Sequence, residues 1–121
     1  MNKGKKVWVF PDGDLPPHGG SEPHGHESLL ILNLNEQDAK IEFDIYFDDK
    51  EPVKGLKDVV KAERVRCFRM DEPLTEKGYK LPMGQYALVV KSELPVVAQI
   101  GRMDVRQPNL AYYTVMGYCC D

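Results

Sequence analysis

The sequence is poor in cysteine, in helical periodicity and in long apolar runs, and each shortage closes off a class of explanation. Three cysteines, Cys67, Cys119 and Cys120, stand among 121 residues, and none forms a Cys-x-x-Cys pair. An odd count with no export signal does not build a disulfide framework, so reduced thiols in the cytoplasm are the expectation. Cys119 and Cys120 are adjacent and would point to opposite faces of a strand, which makes them a poor metal pair. The opening "MNKGKKVWVF" is basic, yet its apolar run, "VWVF", is cut off by "PDGD". That is too short for a signal-peptide core or a membrane span, and no direct membrane insertion is expected. A basic field is missing as well. With 16 Lys and Arg interspersed among 19 Asp and Glu, the net charge is -3, and nucleic acid is not an expected partner.

The motifs of common catalysts are also absent. There is no Gly-x-x-x-x-Gly-Lys phosphate loop, no Gly-x-Gly-x-x-Gly turn and no Gly-x-Ser-x-Gly elbow. Ser21 and Ser28 lie near His24 and His26, but nearness in sequence is not triad geometry. Asp48 and Asp49 sit in the turn "FDDKEP", where Asp and Pro serve the backbone. No catalytic residue and no cofactor are therefore expected, and the chain reads as a non-enzyme.

What is present is the punctuation of an all-β chain: short runs rich in β-branched and aromatic residues, bounded by Gly, Pro, Asn and Asp. "KKVWVF" reads as a strand ending at Pro11, followed by an exposed Gly/Pro/His loop over residues 12–25. "HESLLILNLN" is nearly continuous in apolar residues, as in a strand buried on both sides or at an interface. In "AKIEFDIYFDD", Ile41, Phe43, Ile45 and Phe47 alternate with Glu42, Asp44 and Tyr46, so one face packs and the other meets water. "NEQD" between these strands reads as a hairpin turn. "LKDVVKA" and "ERVRCFRM" supply two more strands, "QYALVVKS" and "VVAQIGRM" a second hairpin about "ELP", and "NLAYYTVMGY" a last strand. "EPLTEKGYKL" is a weak candidate for a short helix. About eight strands with turns every eight to twelve residues favour one antiparallel β-sandwich domain spanning residues 1–121. Val96, Ala98 and Ile100 keep one apolar phase and Met103 and Val105 the other, and Gly101 between them suggests a β-bulge.

Two polar constellations stand out. His18, His24 and His26 cluster in "PPHGGSEPHGHES". His24 and His26, two apart, are weak metal candidates, since zinc accepts such ligands but needs three or four that converge. Beyond Gly101, Arg102, Asp104 and Arg106 fall two apart and would share a strand face, an arrangement that can grip an anionic or polyhydroxylated ligand. Trp8, Tyr46, Tyr112 and Tyr113 are candidates for a sugar-stacking platform or an oligomer interface.

Taken in order, "HESLLILNLNEQDAKIEFDIYFDDKEPV", "VKAERVRCFRM", "LPVVAQIGRMDVRQ" and "LAYYTVMGY" resemble the sensory rhodopsin transducer family, over nearly the whole chain. The family's His-Glu-Ser motif falls on His26, Glu27 and Ser28, its Tyr-Phe-x-Asp-x-Glu-Pro turn on residues 46–52, and its Arg-x-Asp-x-Arg-Gln motif on Arg102, Asp104, Arg106 and Gln107. The resemblance implies a cytoplasmic β-sandwich assembling as a homotetramer, without catalysis, that couples a membrane photoreceptor to downstream components. His26, Glu27, Arg102, Asp104 and Arg106 are then the candidate ligand-binding residues. The alternatives are a carbohydrate or other small-molecule-binding module and a metal-dependent enzyme on a cupin-like barrel.

Overall fold

A computed structural model describes residues 3–20 and 22–120 of the chain. Eight strands follow in order: β1 (Lys5–Leu15), β2 (His26–Asn33), β3 (Ala39–Tyr46), β4 (Val53–Val60), β5 (Arg64–Arg69), β6 (Gly84–Asp104), β7 (Ala111–Val115) and β8 (Tyr118–Cys120). All pairings are antiparallel, and no helix occurs among the described residues. The first sheet runs β4–β3–β6–β1–β8 and the second β5–β2–β6–β7, so β6 belongs to both.

The inner faces follow from period-two alternation. In β3, Ala39, Ile41, Phe43 and Ile45 are buried. In β6 the even positions Tyr86, Leu88, Val90, Ser92, Val96, Ala98, Ile100 and Arg102 are buried and Leu94 is half-buried against the core, so one phase holds from Tyr86 to Arg102. Phe43 of the first sheet meets Phe68 of the second edge to face, with ring centroids 5.1 Å apart. This is the favourable T-shaped arrangement, placed where the sheets join through the core.

Several sequence expectations give way here. The "ELP" segment is no hairpin turn. The first half of β6 pairs with β1 and β3 and the second half with β2 and β7, so the two halves stand in opposite sheets instead of pairing with each other. Pro95, which lacks an N–H, sits at that changeover, where a ladder bond is least missed. "NEQD" likewise crosses between sheets, because β2 pairs with β5 and β6 and not with β3. The buried amide of Asn33 organises the crossing: its Nδ2 donates to the carbonyls of Gln37, Val60 and Lys61, and its Oδ1 accepts from Asn35 N and Nδ2. Asn35 Nδ2 also donates to Pro95 O at 2.8 Å. "EPLTEKGYKL" forms turns closed by a Leu74–Tyr79 bridge.

β1 continues through Pro11 to Leu15, with a register shift between Phe10 and Gly13 that accommodates the proline. The Gly/Pro/His segment is thus strand up to Leu15, and Leu15, Pro16 and Gly25 within it are buried. Gly101 lies in regular register with Ser28 and Thr114, so there is no bulge. Its lack of a side chain serves packing instead: a Cβ there would stand 2.8 Å from the Tyr112 hydroxyl. The last apolar stretch breaks at Met116 and Gly117 into β7, in the second sheet, and β8, in the first. Trp8 is buried, with Nε1 donating to Val96 O at 2.9 Å, and is therefore no part of an exposed stacking platform.

Candidate functional site: a buried carboxylate–guanidinium clasp

The pairing of β2, β6 and β7 lays Glu27, Arg102 and Tyr113 side by side across three adjacent strands. Glu27 shares the inward phase of Leu29 and Ile31, and Arg102 that of Ala98 and Ile100. Two charged residues therefore occupy core-facing slots at the end of the sandwich. Glu27 is 0% and Arg102 6% exposed.

Desolvating two such groups is costly unless geometry and hydrogen bonding compensate. Here they do. Arg102 Nε donates to Glu27 Oε2 at 2.7 Å, Nη1 to the Tyr113 hydroxyl at 2.9 Å and Nη2 to Asp12 O at 2.8 Å. Glu27 Oε2 also accepts from Asp14 N at 3.2 Å, and Oε1 accepts from the Tyr86 hydroxyl at 2.5 Å. Among the described residues no buried side-chain polar atom lacks a partner. The Arg102 guanidinium lies 5.3 Å from the Tyr113 ring centroid, within cation–π range. Burial and the adjacent Glu27 carboxylate push the Tyr86 hydroxyl well above the ordinary tyrosine range. Burial works against the charge on Arg102, but hydrogen bonds to Tyr113 and Glu27 outweigh it and raise the guanidinium pKa.

The clasp joins four strands. Tyr86 and Arg102 belong to opposite halves of β6 and both reach Glu27, while β1 contributes backbone atoms of Asp12 and Asp14 and β7 contributes Tyr113. Gly13 makes room: a Cβ at that position would fall 2.5 Å from Tyr86 Cζ. Both carboxylate oxygens are engaged and each guanidinium nitrogen has a partner, so the cluster is built as a brace. Tyr113, which is 42% accessible, is its exposed side chain.

The arginine row divides. Arg102 turns into the sandwich, whereas Asp104 and Arg106, the latter beyond the end of β6, pair with each other outside it. Hydrogen bonds from the Arg106 side chain and backbone lower the Asp104 pKa to about 2. These two residues, with Gln107, Asn109, Leu110 and Ala111, line a cavity of about 480 Å³.

The histidines are placed apart from Glu27. His26 is the register partner of Met103, and its Nδ1 donates to His24 O at 2.9 Å. The His24 ring lies over His18, centroids 3.6 Å apart, with its Nε2 3.3 Å from Glu22 Oε1. No group of three or more His, Cys, Asp or Glu among the described residues is arranged to hold a metal ion. Ser21 lies outside the described residues. Of the five candidate ligand-binding residues, the structure joins Glu27 to Arg102 and Asp104 to Arg106, while Tyr86 and the backbone of Asp12 and Asp14, which sequence reasoning missed, complete the clasp. The signal for a brace was that Arg102 continues the buried phase of Val96, Ala98 and Ile100.

The profile of the family described as Anabaena sensory rhodopsin transducer matches residues 3–119. Among solved structures, Thermotoga maritima protein 1070 is similar, at 31% identity and a TM-score of 0.84, over 99% of this chain and 97% of that one. The Anabaena sensory rhodopsin transducer is similar at 34% identity and a TM-score of 0.69, over 81% of this chain and 94% of that one. No curated protein matches the chain. A profile match along nearly the whole sequence and two neighbours above 30% identity place this chain in the Anabaena sensory rhodopsin transducer family.

Proposed function

We propose that this protein is a non-enzymatic, cytoplasmic signalling adaptor of the transducer type. It works as a homo-oligomer, a tetramer on the family resemblance, and relays the state of a membrane photoreceptor through protein contacts. The observation that carries the reading is the family match over residues 3–119. The outer face of the second sheet supports the oligomer. Leu30 of β2 lies opposite Cys67 of β5, and Leu32 lies between Val65 of β5 and Val97 of β6. Leu30, Val65, Cys67 and Val97 are exposed on that face. An apolar patch of this kind on a β-sheet favours association. The nearly unbroken apolar run of β2 fits the same reading, since Leu29 and Ile31 serve the core while Leu30 and Leu32 face outwards. Sedimentation equilibrium tests it: the expected mass is about four times the 13.8 kDa chain, and a single 13.8 kDa species at all concentrations would remove the oligomer.

A second reading rests on the cavity beside Asp104 and Arg106. Gln107 and Asn109 add amide donors and acceptors there, a suitable lining for a small polar or sugar-like ligand. A thermal-shift screen of sugars and small carboxylates checks it, with Arg106→Ala expected to abolish any shift. A flat response across the screen would set this reading aside.

A further inference from the structure

Over much of the surface, opposite charges find each other: Asp38 meets Lys61, Asp71 meets Arg69 and Asp104 meets Arg106. The outer face of the first sheet departs from that habit. Because Ala39, Ile41, Phe43 and Ile45 turn to the core, β3 presents Lys40, Glu42 and Asp44 on its other face. Glu42 stands between its register partners, Lys57 of β4 and Lys91 of β6. Lys40, whose own partner is Val59, lies diagonal to Lys57, within reach of a long side chain. Glu93, two residues beyond Lys91, continues the same face. Together with Glu76, from the turns between β5 and β6, these side chains line a hollow of about 670 Å³, the size of a small-molecule site.

One cation of the hollow is fixed. Asp44 is 1% exposed, accepts from Gly55 N through Oδ1 at 2.9 Å and holds Lys91 Nζ through Oδ2 at 2.6 Å, with Glu42 Oε2 3.6 Å from the same Nζ. Asp58 is taken up by Arg66. Four charges are left over. The ammonium groups of Lys40 and Lys57 and the carboxylates of Glu76 and Glu93 have no ion pair among the described residues.

Two unpaired charges of each sign in one hollow restrict what fits there. A polyanion would meet Glu42, Glu76 and Glu93, and a polycation would meet the three lysines. An apolar compound would take water from these groups and replace none of its hydrogen bonds. The lining holds no aromatic ring, so the face on which a sugar would stack is missing.

We propose that this hollow binds a small zwitterion of the amino-acid class, with its carboxylate between Lys40 and Lys57 and its ammonium group at Glu76 and Glu93. Charge-assisted hydrogen bonds of this kind are the strong ones, and Lys91, held by Asp44, is a preorganised cation beside them. The hollow shares no residue with the cavity beside Asp104 and Arg106. It also lies on the other sheet from the apolar patch of Leu30, Val65 and Val97, so the site stands apart from both readings above.

The test is a titration of the full chain with each standard amino acid in turn, read by backbone amide chemical shifts. The N-acetyl derivative, which loses the ammonium group, the amide derivative, which loses the carboxylate, and glucose serve as comparisons. At least one amino acid is expected to shift the amides of residues 40–42, 57–59 and 91–93 saturably. Its two derivatives should each bind about tenfold or more weakly, as should the variants Lys57→Gln and Glu93→Gln towards the intact amino acid. Both replaced side chains are exposed and unpaired, so the variants are expected to keep the wild-type spectrum elsewhere. Arg106→Ala, at the other cavity, should leave the affinity unchanged. No saturable shift with any amino acid would overturn the proposal, as would equal binding of the N-acetyl derivative or of glucose. Shifts confined to residues 104–111 would overturn the site and place binding at the other cavity.

Discussion

Replacing Arg102 with methionine keeps an unbranched apolar stem and deletes the charge at the centre of the clasp. Glu27 would remain fully buried, with Oε2 facing only the Asp14 N–H, and Asp12 O and the Tyr113 hydroxyl would each lose their donor. Breaking a buried pair from one side costs about 3–5 kcal/mol, because the surviving charge stays desolvated. Against a total stability of about 5–15 kcal/mol this is a large share. For a chain of this length it corresponds to a fall in Tm of roughly 10–20 °C. The assay is urea unfolding followed by the fluorescence of Trp8, the one tryptophan and a buried one. Removing both charges, as Glu27→Leu with Arg102→Met, eliminates the orphan and should recover about 2 kcal/mol or more relative to the single variant. A cost for Arg102→Met below about 1 kcal/mol, the range of an exposed pair, or simple additivity in the double variant would refute the reasoning.

Other expectations follow from the same geometry. Tyr86→Phe removes the donor to Glu27 Oε1 and should cost about 1–3 kcal/mol in the same unfolding assay. Gly13→Ala drives a methyl group into the Tyr86 ring and should cost about 1–3 kcal/mol by overpacking, with a change in the near-ultraviolet circular dichroism of the tyrosines. Asp104, held at about 2 by Arg106, and Asp44, lowered because hydrogen bonds to Lys91 and Gly55 outweigh the opposing effect of its burial, both have folded-state pKa values below their ordinary ones. Their contribution to stability is complete above the ordinary carboxylate range and is lost as pH falls through the folded values. Unfolding free energy should therefore decline from about pH 4 towards pH 2, and Asp104→Asn should flatten part of that decline; an unchanged acid limb would contradict the pairing.

The class of fold was legible because alternation is local. Ile41, Phe43 and Ile45 show their buried face in the sequence, and the Gly and Pro punctuation marks where strands end. Which strands pair was less legible, because pairing is decided by distant partners. "ELP" has the composition of a hairpin turn, yet a strand that changes sheets uses the same residues, and only the separate neighbours of the two halves of β6 distinguish the cases. "NEQD" misleads similarly: its role depends on the buried Asn33 amide meeting carbonyls of Gln37, Val60 and Lys61, the last two from the far end of the following β3–β4 hairpin. At the clasp, Glu27 and Arg102 were readable as charged residues beside apolar runs. The contributions of Asp12 O and Asp14 N were not, because backbone donors and acceptors carry no sequence signature. Arg102, Asp104 and Arg106 looked like one row, but the end of β6 at Asp104 divides them into a buried brace and a surface pair.

The central claim, an adaptor that meets a photoreceptor through protein contacts, is tested most directly by titrating the labelled protein with a microbial sensory rhodopsin held in lipid nanodiscs, with empty nanodiscs as the control. The account predicts saturable binding to the rhodopsin-bearing discs and none to the empty ones. Equal binding to both, or none to either, would contradict it.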